Sequence, residues 1–195
     1  MIEKKDIENM EYFVNHFEES STILSWYLAD EPEQEGISSV EVKRYHDIIK
    51  EIDTHHLTSL CVGNPSQYRK YVDISDVFIV EPYPIRSGQQ YQITMVSDYV
   101  DAALDAMRTT GLRKRLWIVL QAFGYQNEKN KGWGWDREPT KQEMRAMTYL
   151  AIVKGVSGIF YYTYHGSQYF IKDSPEHWEN LKAIVKELET IYPLL

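Results

Sequence analysis

The feature that most constrains this chain is the regular exchange of two hydrophobic periods along it. Short apolar runs that suit strands alternate with longer stretches in which apolar residues recur every three or four positions. Ile7, Met10, Phe13, Val14 and Phe17 share one helical face, and the run from Thr22 to Leu28 follows as a strand. Ser38 and Glu41 have capping-box spacing and open a helix with a stripe of Val42, Tyr45, Ile48, Ile49 and Ile52. Leu57 to Val62 is the next strand, and Gly63-Asn64-Pro65 turns the chain. After a brief helical segment, Asp76 to Val80 is apolar and β-branched throughout, as a strand buried on both faces requires. A helix from about Tyr91 to Thr109 stops at Gly111, and Arg115 to Leu120 is another buried strand. Thr140 and Glu143 open a helix that ends at Gly155, and Gly158 to Tyr162 is the last strand. Ser174-Pro175 starts the final helix.

Strands that alternate with helices imply right-handed crossovers and a parallel sheet. The expected fold is therefore α/β, a parallel (β/α) barrel of the TIM type in partial form. It has about five βα units in one domain spanning residues 1–195. Five strands do not close an eight-stranded barrel, and the pattern alone also allows an open doubly wound sheet. The two unclosed edges would invite association with a second copy.

Composition narrows the partners. A net charge of −8 argues against nucleic acid, whose binding draws on clustered Lys and Arg. No apolar run approaches the roughly 20 residues of a membrane span, and the first residues lack the apolar core of a signal peptide. The single cysteine, Cys61, excludes an internal disulfide and reads as a small buried hydrophobe. Fifteen Tyr and five Trp, several at strand ends, offer flat apolar faces with polar tips that suit sugar rings. No phosphate loop, dinucleotide fingerprint or nucleophile elbow is present, so no cofactor is expected. His55-His56 lacks the spacing of a helical metal pair and falls in a turn, so no metal is expected either.

Two segments carry a family resemblance. Trp26-Tyr27-Leu28-Ala29-Asp30-Glu31-Pro32 resembles the end of the fourth barrel strand in clan A glycoside hydrolases, where a Glu serves as acid/base. Residues 76 to 84, ending Glu81-Pro82-Tyr83-Pro84, look like the sixth strand of such barrels. The resemblance implies that Leu116 to Phe123 is strand seven and Gly158 to Tyr164 strand eight, with strands one to three absent. Asp30 stands where the clan commonly has Asn, and Gln121 stands at or near the place of its nucleophilic Glu. A neutral amide cannot form a glycosyl-enzyme ester.

Glycoside hydrolysis generally needs one protonated and one ionised carboxyl group. Glu31 ends a strand before a proline and is the candidate general acid, with Asp30 beside it raising its pKa by like-charge repulsion. Glu81 has the same setting and is the candidate base of an inverting mechanism; its alternatives are substrate binding or pairing with Arg86. Candidate substrate contacts are Asp30, Trp26, Tyr83, Gln121, Phe123, Trp133, Trp135, Tyr162 and Tyr164. Gln121 would bond either a sugar hydroxyl or a loop backbone group. His165 reads as structural rather than catalytic. Trp133 and Trp135 lie in a long Gly-rich loop, where sugar stacking or contact with another chain would explain them. The reading is a hydrolase of a β-linked saccharide. The alternatives are a saccharide-binding protein without catalysis, or a truncated barrel that self-associates.

Overall fold

A computed structural model describes residues 4–86, 93–125, 134–135, 137–166 and 169–191. The element order is α1 (Lys4–Phe17), β1 (Ser25–Asp30), α2 (Ser39–Ile52), β2 (Leu57–Cys61), α3 (Tyr68–Tyr71), β3 (Val77–Val80), α4 (Met95–Thr109), β4 (Arg115–Gln121), α5 (Lys141–Val153), β5 (Gly158–Tyr162), β6 (His165–Gly166), β7 (Tyr169–Phe170) and α6 (Pro175–Ile191). Strands β1 to β5 form one sheet in chain order, while β6 and β7 make a small antiparallel pair. The fold is a partial (β/α) barrel, an open half-barrel rather than a doubly wound sheet. The strand order explains the distinction: a doubly wound sheet reverses direction at a switch point, and this one does not.

The expected elements form where the periodicity places them, with shifts of a few residues at some boundaries. The first strand runs from Ser25 to Asp30 instead of starting at Thr22. Ile23 N–H is spent on Ser20 O in a turn, and Leu24 is 61% exposed, so neither feeds the sheet. Ser38 caps α2 by accepting from Glu41 N–H, but the reciprocal carboxylate bond is not part of this cap. At Thr140 both halves of the capping box are made.

Contacts divide the chain into two compact units. The first comprises residues 1–80 with 102–116. In it β1 pairs in parallel with β2, matching Trp26 to Thr58 and Asp30 to Cys61, and β2 pairs with β3. Leu60, Val62, Val77, Phe78 and Val80 are fully buried, and each such side chain contributes roughly 1.5–3 kcal/mol. The α1 stripe is only partly covered: Val14 is buried, whereas Phe13 and Phe17 are exposed.

The second unit comprises residues 81–101 with 117–195. Here β4 pairs in parallel with β5 from Trp117–Gly158 through Gln121–Tyr162. Gly158 is required because a side chain there would enter the Trp117 indole. Met144, Met147, Ala151 and Ile184 fill the space beneath α5 and α6. His177 is buried at the start of α6 and bonds Ala122 O at 3.0 Å, tying that helix to the end of β4. Among the described residues, no helix is long and apolar enough to cross a membrane.

Candidate functional site

Active residues of parallel sheets collect at the carboxyl ends of strands, because the loops there are free to vary while the strands hold them. In the second unit the residues that follow β3 and β4, together with the end of β5, converge. Tyr83 stacks on Tyr162 with ring centroids 6.1 Å apart. Phe123 meets Tyr83 edge-on at 5.1 Å and Tyr162 at 5.5 Å. Trp135 completes the group, 6.2 Å from Tyr83 and 5.7 Å from Phe123. Phe123 is buried and forms the floor, whereas Tyr162 is 40% exposed and Tyr83 and Trp135 are half-buried. The result is an aromatic surface with polar tips.

Its polar atoms are fixed in place. The Tyr83 hydroxyl donates to Glu81 Oε2 at 2.8 Å, which holds the carboxylate beside the aromatic group. Trp135 Nε1–H donates to Tyr83 O at 3.2 Å, and Tyr125 N–H to Trp135 O at 2.5 Å. Burial and the adjacent Tyr162 hydroxyl push the Tyr125 phenol up to about 12, so it stays a neutral donor. Gly124 lets this strand end pass against the backbone of Arg137 and Glu138, where a methyl would overlap main-chain atoms.

Gln121 ties together the loops that carry this group. It is fully buried, and its Oε1 accepts from Ile85 N–H at 2.9 Å. Its Nε2 donates to Ile85 O at 3.0 Å and to Phe123 O at 3.1 Å. The amide therefore clamps the loops after β3 and β4 through the backbone, the second of the two uses its sequence position allowed. A carboxylate could not donate to those two carbonyls. Arg86 follows this clamp directly; its guanidinium lies 4.3 Å from the Trp135 ring centroid. Arg86 makes no ion pair among the described residues, so the alternative pairing of Glu81 with Arg86 is not formed there.

In the first unit, Glu31 follows β1 with φ of +42°, a left-handed conformation uncommon outside glycine. Its N–H continues the ladder to Cys61 O at 3.1 Å, and its Oε1 accepts from Gln34 Nε2. Gly63 leaves room for that carboxyl, since a methyl at 63 would coincide with Glu31 Oε1. Glu33 Oε1 accepts from Gly63 N–H and Asn64 N–H, both at 2.8 Å, and holds the turn that makes this room. Asp30 is exposed and accepts from the Tyr27 hydroxyl at 2.6 Å.

Two expected contacts lie elsewhere. Trp26 sits at the start of β1, where its indole N–H donates to Asp53 Oδ2 at 2.8 Å, at the end of the strand away from Glu31. Burial alone would raise the Asp53 pKa. Bonds from His56 N–H, Trp26, the His56 ring and His55 N–H outweigh it and hold the carboxyl far below its usual range. The His55-His56 pair is thus a carboxylate-anchored turn. Tyr164 packs on Phe170 and Trp178, at 5.4 and 5.7 Å, and His165 packs on Phe170. Trp133 lies outside the described residues. The sequence signals that would have found the rest are Gly63 and Gly124, glycines placed directly after strands.

No protein-family model matches this sequence, and no curated protein matches it. Solved structures do. A GH2 β-galacturonidase from Eisenbergiella tayi bound to galacturonate aligns over 80% of this chain at 15% identity, with a TM-score of 0.57. Bee venom hyaluronidase aligns over 94% of the chain at 14% identity and a TM-score of 0.58. A glycoside hydrolase family 17 β-1,3-glucanosyltransferase from Rhizomucor miehei aligns over 88% at 12% identity and a TM-score of 0.61. The chain spans 28% of the galacturonidase, 65% of the hyaluronidase and 68% of the glucanosyltransferase. Identities this low show the fold alone: a distant, partial half-barrel like those of glycoside-hydrolase TIM barrels.

Proposed function

We propose that this chain binds a β-linked saccharide on the surface of Tyr83, Trp135 and Tyr162, and hydrolyses it with Glu31 as general acid. The observation that carries the reading is the Glu81 carboxylate held by the hydroxyl of Tyr83, whose ring belongs to that surface. Sugar rings present axial C–H groups to aromatic faces and hydroxyls to nearby carboxylates, and both partners are here in one cluster. The glycoside-hydrolase character of the similar folds supports the same class of ligand.

Glu31 and Glu81 each follow the carboxyl end of a strand and each precede a proline. Glu81, beside the aromatic surface of the second unit, is the candidate base, and Glu31, in the first unit, is the candidate acid on its strand-end setting. The backbone strain at Glu31 supports its role, since strained residues persist where function holds them. Gln121 supports inversion over retention, because its amide is committed to the backbone and supplies no nucleophile.

A panel of aryl β-glycosides and β-linked oligosaccharides tests this, run beside Glu31→Gln and Trp135→Ala. Turnover abolished by the first change, and weakened saccharide affinity from the second, are the expected results. Binding without turnover in the unaltered protein would leave a saccharide-binding protein and remove the hydrolase. Absence of both would remove the carbohydrate reading.

A further inference from the structure

We propose that two copies of this chain associate through the first unit, joining their β1 strands antiparallel and packing α1 against α1 across a two-fold axis. The inference stands apart from the saccharide reading and adds a partner, a second copy of the chain.

Five large apolar side chains of the α1–β1 segment face water: Tyr12 at 66% exposure, Phe13 at 54%, Phe17 at 41%, Leu24 at 61% and Tyr27 at 52%. The aromatic ones are continuous. Tyr12 meets Phe13 edge-on at 5.6 Å and stacks on His16 at 6.0 Å, and His16 meets Phe17 at 4.6 Å. Phe13 and Tyr27 line one hollow of about 370 Å³ together with Met10, Val14, Trp26 and Leu28. At those exposures Tyr12, Phe13, Phe17 and Tyr27 leave roughly 400 Å² of aromatic surface in water. An ordinary monomer's largest patch is about 300–600 Å² and often functional. The same area is already about half of the roughly 800 Å² that each partner of a stable complex covers. Periodicity read Phe13 and Phe17 as part of a buried stripe, whereas the folded unit buries Val14 and leaves both rings open.

The neighbouring strand indicates what covers this patch. β1 is the outermost strand on its side of the sheet. An outer strand presents a row of main-chain donors and acceptors, which another extended segment meets in register. Lys and Pro, which ordinarily guard such an edge, are absent from Ser25–Asp30. The register to β2 is even over Ser25–Tyr27 and shifts before Asp30, so the joined stretch centres on the first half of the strand. A two-fold axis there presents the same edge and the same aromatic patch twice, the self-complementary contact of a symmetric dimer. Because Phe13 of α1 and Tyr27 of β1 share a hollow, the axis that joins the strands also brings Tyr12 and Phe13 of the two copies together. Charge selects the antiparallel sense. Asp30, the one charged residue of β1, would face its own copy in a parallel pair, and an antiparallel pair carries the two carboxylates to opposite ends. With both copies at −8, an aromatic centre with Asp30 at the ends meets the least repulsion.

Sedimentation tests the association, and hydrogen exchange tests its strand. Unaltered protein should form dimers as its concentration rises, and amides of residues 25–28 should exchange at least tenfold more slowly in the dimer. Tyr12→Lys with Phe13→Lys should weaken the dimer at least tenfold, and so should Tyr12→Glu with Phe13→Glu. An equimolar mixture of the lysine and glutamate proteins should recover a dimer of one of each, because the axis sets those positions against themselves. A monomer at every concentration overturns the proposal, as does self-association that neither pair of substitutions changes. A mixture that stays monomeric overturns the two-fold arrangement. Dimers whose amides at 25–28 are not slowed overturn the strand pairing. Should the charged forms fail to fold by circular dichroism, Tyr12→Ala with Phe13→Ala takes their place, with the same tenfold weakening expected.

Discussion

Placing a carboxylate at position 121 should damage this protein. The Gln121 amide donates to Ile85 O and Phe123 O and accepts from Ile85 N–H, all within a fully buried site. In Gln121→Glu, a protonated acid retains one donor for two carbonyls, and the orphaned carbonyl costs about 1–3 kcal/mol. Ionisation would aim negative charge at both carbonyls without solvent, so the folded pKa rises well above its unfolded value of about 4.3. A raised folded pKa leaves stability untouched below the unfolded pKa and costs about 1.4 kcal/mol for each pH unit above it, up to the folded pKa. At pH 7 that adds about 3.7 kcal/mol. The total of roughly 5–7 kcal/mol approaches the whole stability of an ordinary domain. Urea unfolding followed by circular dichroism at pH 4.5 and pH 7 reads the effect. The gap between variant and parent should widen by about 3 kcal/mol between those two pH values, whereas Gln121→Met should show a gap independent of pH. A Gln121→Glu gap that is equal at both pH values, or below about 1 kcal/mol at pH 7, would refute the reasoning.

Glu31→Gly should raise stability by about 1 kcal/mol, because glycine adopts the +42° backbone freely, while abolishing turnover; destabilisation in a urea titration would count against strain at this residue. Gly63→Ala should displace the Glu31 carboxyl at little cost in stability, and its kcat should fall with it. Asp53→Asn removes a buried charge that Trp26 and the His55-His56 turn share, at a cost of about 3–5 kcal/mol. Because the Asp53 pKa is depressed by folding, its contribution is complete above about pH 5 and declines as the pH falls below the unfolded value near 3.9. An Asp53→Asn variant that matches the parent at pH 7 by thermal melting would exclude this role. The outer strand β1 carries the exposed Tyr27, with Leu24 before it and Phe13 on α1 also exposed, and should pair with a second copy. Sedimentation should show a dimer that Tyr27→Lys weakens at least tenfold, and a monomer at every concentration would dismiss the assembly.

Local physics was enough to read most of this architecture from the sequence. Strand and helix periods differ, and caps such as Thr140 with Glu143 and stops such as Gly111 and Gly155 act within a few residues, so the order of elements was legible. So was the convergence of Tyr83, Phe123 and Tyr162, because residues just past the ends of adjacent parallel strands emerge on one side. Trp26 was misjudged from its place in a motif. It precedes the end of β1 by four residues, and at about 3.3 Å per residue that carries its indole roughly 13 Å back along the strand.

Only the tertiary structure decided how each polar atom is spent. The sequence placed an amide at the end of β4 but could not say whether it faced ligand or protein, because its partners are the backbone of residues 85 and 123. Ile85 lies 36 positions earlier in the chain. Hydrogen bonds depend on distances of a few tenths of an ångström between groups far apart along the chain, and no periodicity records them. For the same reason pairing of Glu81 with Arg86 stayed one alternative among others in the sequence, and only the folded chain shows the Arg86 guanidinium lying on Trp135.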